Sequence, residues 1–371
     1  MRRNGGVPVR VRISELRAEA RMDRFRSHHG PSGCFAPRMQ LTFMPNGDVR
    51  ACCRNEGPLG NIAEQRLPDI WAGAVRQGMI RSLEAGEFDG GCRACGDEIA
   101  IEGRRGSYPE EFDQWGLRLG GIPGPADLPN RIEFNLSSIC NLQCVQCNGD
   151  LSSSIRLHRE KRAPLGEVYG DAFFDDLAPF LPNLGQAHFA GGEPFLGREN
   201  FRVWDMIAAT APDLPCTVCT NATQWNDRVE RALDDLRFDV ILSLDGISKE
   251  TFESIRVGAD FDTVMANVER FLAYTRARGT RISINHCLMP QNYAEFGDLL
   301  LFADERDIDV DVSVVRGLAE SSLHLKAPDA LRHVVDVMNA QEAHLLPRLT
   351  RNRATWIRET NRLRIWATHP S

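Results

Sequence analysis

The sequence predicts an α/β protein whose main part is a partial (β/α)6 barrel of the TIM-like kind, with further structure on either side. Three observations lead to this fold class. Short β-prone runs alternate with helix-length stretches from about residue 130 to residue 320. Five of the eleven cysteines lie before residue 100, in a compact region with a hairpin pattern. The chain after residue 320 looks helical to its end. We therefore predict a small N-terminal cysteine-rich module, a barrel and a helical C-terminal tail.

The barrel prediction rests on the alternation of strands and helices. Such alternation forms right-handed βαβ units with a parallel sheet. The stretch 261–279 has apolar residues at three- and four-residue spacing, which is typical of an amphipathic helix. In these folds the loops at the carboxyl ends of the strands carry the site, so motifs that follow the strands should meet on one face. The predicted strands are 131–136, 186–192, 216–221, 239–246, 281–289 and 309–315.

Composition and charge limit the class of protein. The N-terminal segment is rich in arginine but lacks the apolar core of a signal peptide. No apolar run reaches the roughly 18 residues that span a bilayer. We expect a cytoplasmic protein with no membrane partner, and the net charge of -7 gives no reason to expect nucleic acid. The predicted segments are a basic N-terminal tail or helix (1–30), the cysteine-rich module (31–105), a Gly- and Pro-rich linker (106–129), the barrel (130–320) and a helical extension (321–371).

Three cysteines follow the first predicted strand, in the stretch "SSICNLQCVQCNGD" (137–150): Cys140, Cys144 and Cys147. A structural zinc site uses four ligands, commonly from two C-x2-C pairs. No fourth Cys or His is close in the sequence, so a zinc ion here would keep one position open. A four-iron cluster held by three thiolates would also have one open iron. The spacing alone leaves zinc, disulfides and an iron–sulfur cluster as alternatives.

This loop and the turns after the next strands resemble the radical S-adenosylmethionine (radical SAM) superfamily. "CNLQCVQC" is similar to its cluster motif, and "GGEPF" (191–195) to its second signature. "TNAT" (220–223) and "LSLDG" (242–246) are similar to its third and fourth strand ends. The resemblance implies that the three cysteines hold a [4Fe–4S] cluster whose open iron binds SAM. It also implies reductive cleavage of SAM to a 5′-deoxyadenosyl radical, which removes hydrogen from an unactivated C–H bond.

The same resemblance assigns residues to SAM. It implies that Glu193 accepts a hydrogen bond from the methionine ammonium and that Pro194 shapes the turn. Ser243 and Arg256 fall where relatives contact the ribose or the carboxylate, although Arg256 is alternatively an ordinary surface arginine. The family usually has an aromatic residue before the third cysteine, and here it is Gln146. The adenine then packs elsewhere or meets a polar side chain. The residues assigned to SAM are Gly191, Gly192, Glu193, Pro194, Ser243 and Arg256.

Residues 34–95 carry a second cysteine pattern, with an "NG" turn, "LGNI", "IW" and "CRAC". This pattern resembles the SPASM/Twitch extension and implies one auxiliary [4Fe–4S] cluster. The Gly47-x-Val49-x-x-Cys52 spacing makes Cys52 a better ligand than its neighbour Cys53. Without the resemblance, four thiolates also suit one zinc ion. In most relatives the module follows the barrel, but here it comes first, as in twitch-domain radical SAM proteins. The implied ligands are Cys34, Cys52, Cys92 and Cys95.

The other cysteines have less specific surroundings. Cys216 and Cys219 are three residues apart on one predicted strand, so they should point to opposite faces and share no ion. His286 and Cys287 alternate on the fifth strand, so one of them should face the barrel interior. A packed core cysteine is favoured there, with a radical-quenching thiol or a proton relay as the alternative. Asp245, at a strand end, is a further candidate for binding substrate or SAM.

The function predicted from these motifs is that of a radical SAM enzyme that modifies a C–H position of a peptide, by a crosslink, an epimerisation or a similar maturation step in natural product biosynthesis. The alternative is the same chemistry on a small molecule such as a sugar, an aminocyclitol or an amino acid. A third hypothesis is a non-catalytic, metal-stabilised binding protein. We expect an electron donor such as flavodoxin or ferredoxin as a partner of the enzyme.

Overall fold

The computed structural model describes residues 21–22, 25–26, 33–124 and 126–368. The predicted basic tail therefore lies mostly outside the described residues. The chain divides into two compact units, which we call unit 1 and unit 2. No helix in the described part of the chain is long and apolar enough to cross a membrane. Unit 1 is drawn from Met1–Thr42 and Asp48–Arg131, and unit 2 from Phe43–Gly47 and Ile132–Ser371.

The two strands of the predicted hairpin lie in unit 1, except for Phe43 at the end of β1. Strands β1 and β2 are neighbours, and Gly47 in their "NG" turn has φ 88°, a left-handed conformation that glycine adopts at no steric cost. Strand β3 pairs antiparallel with β2, with Val49 opposite Gly60. The elements of unit 1 are α1 (Ala36–Met39), β1 (Gln40–Phe43), β2 (Asp48–Arg50), β3 (Gly60–Asn61), α2 (Leu67–Ala72), α3 (Ala74–Glu84), α4 (Arg93–Glu102) and α5 (Tyr108–Leu119).

Helix α5 corrects the prediction of a linker over 106–129. Its Gly and Pro residues mark the helix ends: Pro109 lies in the first turn, and Gly120 ends the helix with φ 79°. Phe112 packs in a buried cluster with Phe35, Met39 and Cys52. The segment is therefore part of the core of unit 1, because the residues between its breakers have an amphipathic pattern.

Unit 2 contains the six predicted strands, in a spatial order that equals their chain order. The four pairs from β5–β6 to β8–β9 are parallel, with Val218 opposite Val240 and Leu242 opposite Ile284. The predicted α/β fold with a parallel sheet is confirmed. The strands are β4 (Arg131–Phe134), β5 (Gln186–Phe189), β6 (Cys216–Thr220), β7 (Phe238–Ser243), β8 (Ile282–Cys287) and β9 (Asp309–Ser313).

Helices of unit 2 cover one face of this sheet with apolar side chains. Phe134 of β4 stacks on Phe189 of β5 at 4.9 Å, and Trp204 of α7 meets Phe189 at 5.4 Å. Burying side chains of this size stabilises the fold by about 1.5–3 kcal/mol each. The helices are α6 (Asp171–Leu177), α7 (Arg198–Thr210), α8 (Asp227–Asp235), α9 (Lys249–Ile255), α10 (Phe261–Arg278), α11 (Phe296–Glu305), α12 (Pro328–Leu345) and α13 (Arg353–Thr368), with shorter helical turns at Ile155–Arg159, Leu181–Asn183 and Tyr293–Glu295.

Side-chain caps fix the starts of three of these helices, which follow β6 and β7. The side chains of Asn226, Ser248 and Asp260 accept hydrogen bonds from amides in the first turns of α8, α9 and α10. The caps limit the length of the loops at the carboxyl ends of the strands. After β9, α12 and α13 form the predicted helical tail.

Candidate metal centres

The loop after β4 carries Cys140, Cys144 and Cys147 and closes on itself. The amide of Cys140 donates to Ser153 Oγ at 3.2 Å, and Ser152 Oγ donates to the carbonyl of Leu142 at 2.7 Å. The amide of Ser153 donates to the carbonyl of Ser138 at 2.6 Å. We call residues 137–150 the three-cysteine loop.

A segment just after α9 holds the middle of this loop. The two amides on either side of Cys144 donate to the two carbonyls on either side of Arg256, at 2.8 and 2.9 Å. The backbone therefore places Cys144 next to Arg256. The guanidinium of Arg159, from the helical turn after the loop, donates to the carbonyls of Cys144 and Cys147.

The turn after β5 approaches the three-cysteine loop so closely that only glycine fits. Gly191 and Gly192 have φ 72° and 38°. A Cβ at Gly192 would lie 2.5 Å from the carbonyl oxygen of Ile139, and one at Gly191 would lie 2.6 Å from Cβ of Asn135. The amide of Glu193 donates to the carbonyl of Ile139 at 2.8 Å. These contacts join the "GGEP" turn directly to the loop.

The carboxylate of Glu193 is buried at this junction, with 1% of the residue exposed. It accepts hydrogen bonds from Thr220 Oγ1 (2.8 Å) and from the amides of Asn221 (2.8 Å) and Phe195 (3.2 Å). Burial raises the pKa of Glu193 to about 7, although these hydrogen bonds oppose the rise. Next to it, the carbonyl of Pro194 accepts from Asn200 Nδ2 at 3.2 Å.

Asn221, just after β6, contacts the first cysteine and had no role in the sequence-based prediction beyond its place in "TNAT". Its Nδ2 lies 3.9 Å from Cys140 Sγ and donates to Asn141 Oδ1 at 3.1 Å. Asn141 Nδ2 in turn donates to Thr223 Oγ1 at 3.0 Å. Residues about 80 positions apart thus meet at the loop. The strand-end position of "TNAT" was the only sequence signal for this contact.

Gln146 and Arg256 both contact Asp245, which is fully buried at the end of β7. Gln146 Nε2 donates to Asp245 Oδ2 at 2.6 Å, and Arg256 Nη2 lies 2.7 Å from the same oxygen. The amide of Cys287 donates to Asp245 Oδ1 at 2.7 Å. Gln146 Oε1 and Arg256 Nε are buried and lack a partner among the residues that the structure describes. Arg256 is therefore a buried, paired residue and not a surface arginine.

The remaining polar candidates lie on both faces of the sheet. Ser243, half-buried, has its Oγ 3.5 Å from Cys219 Sγ. The His286 ring stacks on Phe296 of α11 at 5.4 Å and is buried, and burial lowers its pKa. Because successive strand residues alternate, Cys287 points to the face opposite His286, and Cys216 to the face opposite Cys219.

The three thiols of the loop are protonated at neutral pH when no metal is bound. Burial raises the pKa of Cys140 to about 12 and that of Cys147 to about 11, and it also raises the pKa of Cys144. Metal ligation by cysteine requires the thiolate, so binding here must release protons. Cys144 raises the pKa of both Cys140 and Cys147 further.

In unit 1, four cysteines line a single cavity: Cys34, Cys52, Cys92 and Cys95. The amide of Ala36 donates to Cys34 Sγ at 3.4 Å, and Asn55 Nδ2 donates to Cys92 Sγ at 3.5 Å. Cys53 is exposed instead, with its sulfur 3.1 Å from the hydroxyl of Tyr108.

In neither set of cysteines do the sulfur atoms converge as the ligands of a single metal ion do. Among the residues that the structure describes, no three His, Cys, Asp or Glu side chains converge closely enough to hold one metal ion. A four-iron cluster is a larger body than one ion, and its thiolate ligands surround it at wider spacing.

Two family profiles match the chain. That of the radical SAM superfamily matches residues 134–303, and that of an iron–sulfur cluster-binding domain called SPASM matches residues 34–96. Together they cover both sets of cysteines.

Individual relatives are more distant. GTP 3′,8-cyclase of Pseudomonas fluorescens is 26% identical over 200 residues, which are 53% of this chain and 57% of that protein. The mycofactocin maturase MftC of Mycobacterium tuberculosis is 28% identical over 197 residues, 51% of this chain and 46% of that protein. The chain thus spans about half the length of these relatives. The crystal structure of Streptococcus suis SuiB bound to the precursor peptide SuiA has 14% identity and a TM-score of 0.40, over 72% of this chain and 59% of SuiB.

Proposed function

Since the chain belongs to the radical SAM superfamily and carries a SPASM domain before its barrel, we propose that Cys140, Cys144 and Cys147 hold a [4Fe–4S] cluster that binds SAM. The observation that carries this proposal is the close contact between the three-cysteine loop and the "GGEP" turn. When bound there, the cluster would supply the electron for reductive cleavage of SAM, and so the means to remove hydrogen from a C–H bond.

The chain's own residues orient and enclose the SAM. Glu193, held by Thr220 and Asn221, offers its carboxylate to the methionine ammonium. Gly191 and Gly192 let the backbone approach without a side chain in the way. Ser243 and Arg256 lie at the end of β7 and after α9, where they can contact the ribose and the carboxylate. Gln146 donates a hydrogen bond to Asp245 and stands where the family usually has an aromatic residue. The adenine would therefore meet a polar side chain at this position.

The four cysteines of unit 1 hold the auxiliary [4Fe–4S] cluster in this proposal. The shared cavity and the two N–H···S hydrogen bonds support it. Cys52 is the proposed ligand, since it lines the cavity and Cys53 is exposed. A one-electron donor of the flavodoxin or ferredoxin class is the proposed partner.

The substrate that we propose is a peptide, modified at a C–H position by a crosslink, an epimerisation or a similar maturation step. The similarity to a maturase supports this class of substrate. The similarity to GTP 3′,8-cyclase supports the second candidate, the same chemistry on a small molecule.

The test has two stages. Anaerobically reconstituted protein should contain about eight irons per chain and release 5′-deoxyadenosine from SAM on reduction. Mass spectrometry of candidate precursor peptides co-expressed with the enzyme should then show a change in mass or connectivity. Zinc at the cysteines of unit 1 would contradict the auxiliary cluster. Cleavage of SAM that is stimulated by small metabolites and by no peptide would favour the second candidate.

A further inference from the structure

A buried ion pair lies beside the three-cysteine loop. Arg256 Nη2 is 2.7 Å from Asp245 Oδ2, and the two side chains are 8% and 0% exposed. The Asp245 carboxylate is fixed by two more donors, Gln146 Nε2 and the amide of Cys287. Buried charges are little screened by salt, so removing either member of the pair leaves the other charge to act on its neighbours with little screening.

The backbone brings this pair to the cysteines. The hydrogen bonds that flank Cys144 and Arg256 place one next to the other. Asp245 is joined to the same loop, because Gln146, which directly precedes Cys147, donates to Asp245 Oδ2 at 2.6 Å.

We propose that Arg256 raises the reduction potential of the cluster at the three-cysteine loop and that Asp245 moderates this effect. The inference rests on the proposed function, since it requires a cluster at this loop. Reduction adds one electron, from a one-electron donor, and so makes the site more negative. A buried cation nearby favours that state and a buried carboxylate opposes it. Removing the two partners of one ion pair should therefore shift the potential in opposite directions.

The experiment compares Asp245→Asn and Arg256→Gln in the full chain, reconstituted anaerobically without SAM. Potentials are measured by poising samples with dithionite and recording the EPR signal of the reduced cluster. The signal of this loop is identified as the one lost in the Cys140→Ala/Cys144→Ala/Cys147→Ala chain. We expect Asp245→Asn to raise the potential and Arg256→Gln to lower it. Each should change the reduced-to-oxidised ratio at fixed potential by about tenfold, which is about 59 mV for one electron.

A second ion pair, at the opposite end of β7 from Asp245, provides the control. Asp239 at the start of β7 binds Arg281 at 2.6 Å, and Arg281 is 81% exposed. Asp239 lies six residues before Asp245, roughly 20 Å along the strand and beyond the screening length at 0.1 M salt. Asp239→Asn and Arg281→Gln make the same charge changes, and we expect no shift from either.

Two further variants provide a test if the cluster assembles poorly in Asp245→Asn or in Arg256→Gln. The Asp245→Asn/Arg256→Gln double variant removes both charges, and its potential should return close to that of the wild type. Arg256→Lys keeps the cation and should stay closer to the wild type than Arg256→Gln.

Shifts of equal sign in Asp245→Asn and Arg256→Gln, or no shift in either, would overturn the proposal. Equal potentials for Arg256→Lys and Arg256→Gln would overturn it as well. An arginine that only binds SAM would leave the SAM-free potential unchanged. If no EPR signal is lost in the triple cysteine variant, the failure lies in the proposed function and not in the tuning.

Discussion

The two cysteine sites differ in how the chain holds their sulfur atoms. In unit 2 the three cysteines share one loop, which serine side chains, Arg159 and the segment around Arg256 hold by hydrogen bonds. In unit 1 the four cysteines come from three separate places in the chain and line one cavity. The loop site has three sulfurs, with polar groups from three further strand ends beside it. In the proposed function the loop site therefore leaves room for SAM, whereas the cavity of unit 1 has a full set of four thiols.

The largest expected effects come from replacing one cysteine of each site, and these effects should differ between the two sites. Cys144→Ala should abolish release of 5′-deoxyadenosine and lower the iron content from about eight to about four per chain. Cys52→Ala should lower the iron content equally and leave measurable SAM cleavage, because its site is the auxiliary one. Iron analysis and chromatography of the products check both. Cys53→Ala and Cys216→Ala are the matched controls, and loss of iron in either would contradict the ligand assignment.

Gly192→Ala should damage the contact between the loop and the "GGEP" turn without removing a ligand. The new Cβ would lie 2.5 Å from the carbonyl oxygen of Ile139, at a φ that L side chains rarely adopt. A displacement of about 1 Å in an active site costs about 100-fold in rate, so SAM cleavage should fall by this order. Iron content should fall much less. Gly166→Ala is the control, because no atom lies within 4 Å of its Cβ; an equal loss there would refute the steric explanation.

Glu193→Gln should weaken SAM binding and leave the cluster in place. The neutral amide cannot form an ion pair with an ammonium. In addition, its NH2 group would face the hydrogen-bond donors of Thr220 and Asn221. A hydrogen bond to a charged group contributes about 1.5–3 kcal/mol, so the Kd for SAM should rise at least about tenfold. Equilibrium dialysis under anaerobic conditions measures it. An unchanged Kd with normal iron content would exclude Glu193 from the SAM site.

The smallest effect is expected from a substitution in α11, which lies far along the chain from both sets of cysteines. Asp304 of α11 accepts from the amides of Thr350 (2.5 Å) and Asn352 (2.9 Å). Burial alone would raise the pKa of Asp304, but these hydrogen bonds lower it below its ordinary value. Its stabilisation is therefore full above the ordinary pKa and is lost as the pH falls through the lowered one. Asp304→Asn should cost about 1–2 kcal/mol of unfolding free energy at pH 7, and less in acid.

Urea unfolding at several pH values checks this prediction, with iron content as the measure of both cysteine sites. Asp298→Asn, at an exposed position on the same helix, is the control and should change the unfolding free energy little. A cost for Asp304→Asn that stays constant down to pH 3 would contradict the linkage.

Much of this comparison follows from the sequence. The six strands and the helices of unit 2 were predicted correctly because the periodicity of apolar residues is strong there. Parallel topology then predicts that loops after consecutive strands meet. The contacts of Asp245 with Gln146 and of Asn221 with Cys140 do not follow from this reasoning, because the two residues of each contact lie about 80 to 100 positions apart and no local pattern marks them. Glycine and proline favour irregular chain in general, but at 106–129 they mark the two ends of α5, which composition alone does not distinguish from a linker.

The short span of the three-cysteine loop also affects how the protein assembles. Cys140 and Cys147, with Ser152, Ser153 and Arg159, lie within 20 residues of each other, so these local hydrogen bonds can form before the segment around Arg256 has been synthesised. Unit 1 is synthesised earlier, but its thiols are spread from Cys34 to Cys95, and closing that longer stretch of chain costs more entropy. We therefore expect the four thiols of unit 1 to gather more slowly during folding than the three thiols of the loop.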